Sequence, residues 1–422
     1  ADLPTGPHGD AMPASVDSDH SGVLLQALQA GAGRGDEGPR ASADALERAR
    51  REVLDNAFLS DAQKTQRLMP IAEGFMCLQD WPRSTRTFEE LLALERRRPE
   101  PDPHTMARAL TGLARVTSVV AQSIEGSRVL LVEAAQWTRR DTVTDLQRVA
   151  LWTAQADLME FATDLVRADA LLEEAIRVLE GQPSSDPQHL LQLQNRRARV
   201  LIARGDLRAA DALVVRLRQQ ASEWLRHDDP RLAPLLTTHG QLLEAHLQYE
   251  RAVDLYALAV ERLEPHYADT DGRLIHARLA LAQALSRAGD SVAAVALYRR
   301  IINHVESKDA RNVVGLSGLH VDLSNALLAA RQPQRAYQHI RRALVSIEGR
   351  TDAPDWLRYS ANSVYGAVLI ELGRCTEGLQ RLEETLDDLL LHGVDDPRIT
   401  DDIHARRARY EGSRCATRDR RA

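Results

Sequence analysis

Aromatic residues make up only 4% of this 422-residue chain, and the β-branched and aromatic runs that make buried strands are missing. A parallel sheet is hard to build without them, so α/β enzyme folds are excluded at the outset. Cysteine is scarce as well. Cys77, Cys375 and Cys415 are odd in number and far apart, which fits neither a disulfide framework nor a zinc site, and all three are expected to be core or surface thiols. Lysine is almost absent: Lys64 and Lys308 stand alone among 54 basic residues, a bias read as the imprint of a GC-rich bacterial genome. Basic and acidic residues (54 and 61, net charge -7) are intermixed, so there is no basic stripe for nucleic acid. No apolar run approaches the roughly 18 residues that span a bilayer, and no charged-then-apolar leader opens the chain, so no direct membrane contact is expected. The chain begins at Ala1 rather than Met and is expected to be a processed product or a piece of a longer polypeptide.

Catalytic signatures are missing too. There is no Gly-x-Ser-x-Gly, kinase motif, Walker loop or His-Glu-x-x-His. Gly33, Gly35 and Gly38 match a dinucleotide fingerprint as a string, but no strand precedes them and no βαβ unit surrounds them, so they read as a loop. The Arg-Gly-Asp triplets at Arg34 and Arg204 read as a loop and an inter-helix turn. Fourteen histidines invite a metal search. The nearest pair, His239 and His246, sits two helical turns apart, about 10 Å along the axis, too far to share an ion. The acidic pairs Asp228-Asp229 and Asp395-Asp396 suit helix caps better than acid/base chemistry. No cofactor, metal or enzymatic activity is expected of this chain.

What remains is helix formers, Ala, Leu, Arg and Glu, arranged with a period. Stepping by 42 from Ala72 gives Ala114, Ala156, Ala198, Gly240, Ala282, Ser324 and Gly366, all small. Stepping from Ser84 gives Gly126, Ala168, Ala210, Ala252, Ala294, Ala336 and Gly378, small again. Two such columns twelve residues apart are what two tightly crossed helices need where their backbones meet. Apolar columns keep the same step: Phe75, Thr117, Met159, Leu201, Leu243, Leu285, Leu327 and Leu369, and Phe88, Leu130, Leu172, Val214, Tyr256, Tyr298, Ile340 and Leu382, with Thr117 the clearly polar exception. Asp102-Pro103, Asp186-Pro187, Asp229-Pro230 and Asp396-Pro397 mark helix starts. Gly205, Gly289 and Gly373 mark the turn inside a helix pair.

Small residues at positions eight and twenty of each unit, with apolar residues at eleven and twenty-four, resemble the tetratricopeptide repeat (TPR). The 42-residue length and the Asp-Pro starts resemble the long variety in kinesin light chains. The resemblance covers about residues 65 to 395 and implies an all-α α-solenoid, a right-handed superhelix of tandem TPR-like helix pairs. Its departures are Gln194, Arg278, His320 and Asn362 at position four and Gln155, Arg197 and His239 at position seven, which are expected to weaken packing detail more than fold. The expected organisation is a flexible tether at 1–20, a degenerate helical pair at 21–60 interrupted by Gly31 to Arg40, eight repeats at 61–394, and a charged capping helix with its tail at 395–422. The helix from Ala43 to Asn56 and the segments Leu78 to Trp81 and Phe88 to Leu91 are also similar to the start of the C-terminal repeat array of bacterial serine/threonine kinases and winged-helix regulators.

In the TPR family the first helix of each pair lines the concave face and position nine points into the groove. Here that column reads Glu73, Arg115, Asp157, Arg199, Gln241, Gln283, Asn325 and Ala367. Position five adds Thr111, Thr153, Asn195, Thr237 and Ser363, small enough for a backbone to approach. Repeating amides and charges suit an extended peptide, so the candidate partner-binding residues are Arg115, Asp157, Asn195, Arg199, Gln241, Gln283 and Asn325. The resulting expectation is a protein- or peptide-binding scaffold, the sensor or partner arm of a bacterial signalling protein, with a free-standing adaptor and an enzyme with an unrecognised site as alternatives. Free thiols favour the cytoplasm; the ectodomain of a membrane kinase would be periplasmic instead.

Overall fold

The computed structural model describes residues 37–411, apart from 79, 121–123, 140–142, 183–185, 270, 309–312, 351–352 and 393–396. The expected tether at 1–20 lies outside the described residues, as do Gly33 and Gly35 and the first part of the expected degenerate pair. Every regular element among the described residues is helical. The helices are α1 (Glu37–Asp55), α2 (Asp61–Cys77), α3 (Trp81–Arg97), α4 (Pro103–Val120), α5 (Ile124–Thr138), α6 (Asp145–Phe161), α7 (Leu165–Glu180), α8 (Pro187–Arg204), α9 (Leu207–Trp224), α10 (Ala233–Ala245), α11 (Tyr249–Leu263), α12 (Gly272–Ala288), α13 (Ser291–Lys308), α14 (Val313–Ala329), α15 (Pro333–Ile347), α16 (Asp355–Glu371), α17 (Cys375–Leu391) and α18 (Pro397–Glu411). A 3₁₀ turn, Pro230–Leu232, leads into α10. The chain forms two compact units, residues 1–209 and 210–422. In each, successive helices pack antiparallel to their neighbours in sequence, as short connections require.

The small columns mark the crossings. Ala72, Ala114, Ala156, Ala198 and Ala282 are buried, as are Ala168, Ala210, Ala252, Ala294 and Ala336. A Cβ on Gly378 would lie 2.6 Å from the carbonyl oxygen of Gly366, so at this crossing the two backbones touch with no room for a methyl group. Serine fits the same place by donating across it: Ser84 Oγ to the Ala72 carbonyl at 3.0 Å and Ser324 Oγ to the Ala336 carbonyl at 3.2 Å. The second repeat departs from the sequence frame. There Ser127, not Gly126, is fully buried and donates to the Ala114 carbonyl at 3.0 Å, and Leu131 rather than Leu130 fills the core. The register of α5 is shifted by one residue, which a fixed step of 42 cannot follow.

Helix starts and turns follow local chemistry. Asp102, Asp186 and Asp229 each accept a backbone N–H from the first turn, at 2.9, 3.0 and 2.8 Å; Asp396 lies outside the described residues. Gly205, Gly289 and Gly373 have the expected left-handed φ of 81°, 90° and 83°. The same step of 42 also places Thr163 (60°), Leu247 (60°) and Arg331 (58°) in that conformation, where no glycine announces it. Both flanks of each turn are fixed by helices, so the connection keeps its geometry even where the side chain disfavours it.

The polar residues at position four are taken into the seam between helices. Gln194, Arg278 and His320 are almost fully buried, and each meets a glutamate fourteen residues earlier on the preceding helix or at its end. Gln194 Nε2 donates to Glu180 at 3.1 Å and Arg278 Nη2 to Glu264 at 2.8 Å, while His320 Nε2 lies 3.9 Å from Glu306. Asp269 adds a second carboxylate at 2.6 Å from Arg278. At position seven, Arg197 is likewise engaged, by Asp169 at 2.7 Å and Glu173 at 3.1 Å. Pairing offsets part of the cost of burying these charges, while Arg278 Nε is buried without a hydrogen-bond partner among the described residues.

Two further expectations change. Arg40, placed in an interruption by its glycine-rich surroundings, belongs to α1, as does Gly38. Cys375 is disulfide-bonded rather than a thiol; Cys77 is free and exposed, and Cys415 lies outside the described residues.

Leu247 is 72% exposed, so its side chain contributes little packing while its left-handed backbone costs about 1 kcal/mol. Glycine removes that strain but widens the unfolded ensemble. Leu247→Gly should therefore raise stability by roughly 0.5 kcal/mol, read as a higher urea midpoint at unchanged m-value; a lower midpoint would refute this account of the turn.

Candidate functional site

Position nine of the first helices is the column expected to meet a partner, and within the first unit it is wired into ion pairs. Glu73 on α2 accepts both Nε (2.7 Å) and Nη2 (2.6 Å) of Arg108 on α4, a bidentate geometry that fixes both planes. Arg115 on α4 reaches Asp157 on α6 at 3.9 Å, and Asp157 also pairs with Arg196 on α8, which donates to Glu160 at 2.7 Å. Arg196 is held protonated against its burial by Asp157 and Glu160. Asn195 is buried, whereas Arg199, one turn further along α8, is exposed and makes no hydrogen bond or ion pair among the described residues. The structure therefore links Arg115 to Asp157 and leaves Arg199 open.

In the second unit Gln241 on α10 is half-buried and without a side-chain partner among the described residues. Gln283 on α12 donates to Asp322 at 3.4 Å, a carboxyl group whose pKa is raised by burial. Asn325 on α14 accepts from Arg406 on α18 at 2.9 Å, and Arg406 is held in turn by Asp402 at 2.6 Å. The last helix thus does more than solvate an end. It buries Ile403 completely and ties down the last polar member of the column.

Position five offers less than its composition promises. Thr111, Thr153 and Thr237 each donate to the carbonyl four residues back in their own helix, at 2.7, 2.7 and 2.9 Å, and the fully buried Ser363 donates to Asp402 at 2.8 Å. These hydroxyls are satisfied internally.

A site that the column does not contain lies between α9, α10 and α11: a cleft of about 350 Å³. Leucines line its body and Arg218, His227, His239 and Arg262 its polar wall. His239, one of the position-seven departures, has its pKa lowered by burial and then by Arg218 and Arg251, against an opposing pull from Asp211. His246, the other member of the histidine pair, bonds Asp211 at 3.1 Å instead, and no metal-binding group of three or more side chains occurs among the described residues.

No protein-family model and no curated protein matches the chain. Solved structures do. A Rap protein complexed with Competence and Sporulation Factor shares 12% identity at a TM-score of 0.56, over 85% of this chain and 96% of its own. The apo form of the quorum sensor NprR from B. thuringiensis gives 12% and 0.56, over 88% and 99%. NprR in complex with its cognate peptide NprX gives 12% and 0.50, over 82% and 83%. The fold is the TPR-like helical repeat. Its first helices in this TPR-like chain carry the polar column, and its position-four seam carries the buried ion pairs.

One part of that seam titrates. The Nδ1 atoms of His320 and His339 are 3.2 Å apart with their rings stacked, so one hydrogen can be shared but two cannot fit. Burial, then His339 and Arg342, push His320 down to about 4. Burial, then Arg299 and Arg342, lower His339 against the pull of Glu306, itself paired with Arg342 at 3.1 Å. A histidine whose folded pKa lies below its unfolded value binds its proton more readily when unfolded, so its stabilisation is intact above pH ~6.5 and is lost as the pH falls toward ~4. His320→Leu should flatten the fall in stability between pH 7 and pH 4 by roughly 2–3 kcal/mol, measured by urea unfolding at each pH. An unchanged pH profile would show that the pair is not a source of acid sensitivity.

Proposed function

We propose that this chain is a protein- or peptide-recognition scaffold, the sensor or partner-binding arm of a bacterial signalling protein, acting by binding rather than by catalysis. The observation that carries this reading is the state of the position-nine column. Arg199 in one unit and Gln241 in the other sit on first helices without internal partners, beside charged neighbours already held in fixed geometry. A pre-organised polar face loses little entropy when it accepts the main chain of an extended segment. The structural neighbours support it, since one is described with Competence and Sporulation Factor and another with its cognate peptide. Within the first unit the contacting residues are Arg115, Asp157 and Arg199, and within the second Gln241, Gln283 and Asn325; Asn195 supports α8 from inside.

Peptides selected from a displayed random library on the wild-type chain should bind the Arg199→Ala, Gln241→Ala, Gln283→Ala, Asn325→Ala quadruple variant at least about tenfold more weakly, with helicity unchanged by circular dichroism. Unchanged affinity would move the site off this face.

Among the described residues no helix is long and apolar enough to cross a membrane. The disulfide at Cys375 supports placement in an oxidising compartment over the cytoplasm, as for the ectodomain of a larger polypeptide. Fractionating source cells with an antibody to this chain should find it in periplasmic or membrane material, with Cys375 protected from alkylation until reduction. A cytosolic pool whose Cys375 alkylates without reductant would overturn this placement.

A further inference from the structure

The position-four seam fills its space with long side chains wherever a glutamate meets a glutamine, arginine or histidine: Glu180 with Gln194, Glu264 with Arg278, Glu306 with His320. In the fifth repeat the equivalent positions hold Ser222 and Leu236, and both line the cleft between α9, α10 and α11. Both side chains are shorter than these counterparts. Leu225, Leu235 and Leu258 complete an apolar interior.

The ionisable groups lining the cleft include no acid. Arg218 and Arg262 are guanidiniums, His227 and His239 are imidazoles, and no carboxylate lines it. Nearby acids are already engaged: Asp211 by His246 at 3.1 Å, Asp228 by Arg226 at 3.1 Å, Asp229 by Arg231 at 2.6 Å and Glu261 by Arg262 Nη1 at 3.1 Å. Arg218 has no ion pair among the described residues. Two lining atoms, Nδ1 of His239 and Nε of Arg262, are buried without any hydrogen-bond partner.

We propose that this cleft is a second binding site, separate from the position-nine face, for a small carboxylate carrying an apolar chain between leucine and octanoyl in size. The chain lies among the leucines and the carboxylate faces Arg262, Arg218 and the imidazoles. A cavity of this volume is at the small end of ligand pockets, too small for a folded partner. The carboxylate can come from a free acid or from the C-terminal residue of a peptide.

Calorimetry on the intact 422-residue chain separates the sources. The probes are octanoate, N-acetyl-glycyl-leucine, its C-terminal amide, octanol and inorganic phosphate. Octanoate should bind at least about tenfold more tightly than octanol and than phosphate, because only it satisfies both the cationic wall and the apolar body. Binding of octanoate alone assigns a free-acid ligand; binding of the dipeptide acid but not its amide assigns a chain terminus. Arg218→Gln with Arg262→Gln should weaken the carboxylate at least about tenfold. Leu236→Trp, which fills the cleft, should abolish binding while leaving peptide capture at the position-nine face intact. The proposal is overturned if no carboxylate binds, if phosphate or octanol binds as well as octanoate, or if both variants retain wild-type helicity and wild-type affinity.

Discussion

Everything in this architecture depends on two backbones coming within touching distance inside each helix pair. That approach tolerates only Ala, Gly or Ser, and the Gly366 and Gly378 crossing has no room for even a methyl group. Once it is made, the residues one turn beyond it are buried: Phe75 and Phe88 share one core cluster, and Leu369 and Leu382 are both shielded from solvent. Serine at the crossing donates into the facing helix, so the contact is polar as well as close. The one-residue shift in the second repeat shows that the crossing sets the register: Ser127 takes the place of Gly126 and the whole face of α5 turns with it.

Where the family pattern is broken, charge replaces hydrophobic contact. Arg278 is among the largest fully buried side chains, yet it is answered by Glu264 and Asp269, and Arg300 joins them at 3.1 Å from Asp269. Such clusters add little net stability compared with apolar packing, but they make a wrong neighbour costly, because a mispaired helix would strand a buried charge. In a chain whose repeats are otherwise alike, this gives each junction an identity.

The same economy governs the surfaces. Most position-nine and position-five groups are consumed internally, in ion pairs or in bonds to their own helix, so the residues left open are few and carry more meaning than the composition of the column suggests. The cleft lined in part by Ser222 and Leu236 is the counterpart on the other seam.

The sequence by itself determined the helices, their pairing and most of their ends, because a 42-residue step of small and apolar residues, Asp-Pro starts and Gly turns each follow from local sterics and hydrogen bonding. The 42-residue register also picked out the polar column at position nine, through what the resemblance to the TPR implies for that position. Only the tertiary structure decided which members of that column are free. Whether Asn195 is buried, whether Arg115 meets Asp157 and whether Arg406 reaches Asn325 depend on distances between residues up to 81 positions apart. The left-handed turns at Thr163, Leu247 and Arg331 were equally invisible in residue type, because their neighbours impose the conformation. The cleft was invisible too: it is a missing volume, and what is missing shows only once the surrounding side chains are in place.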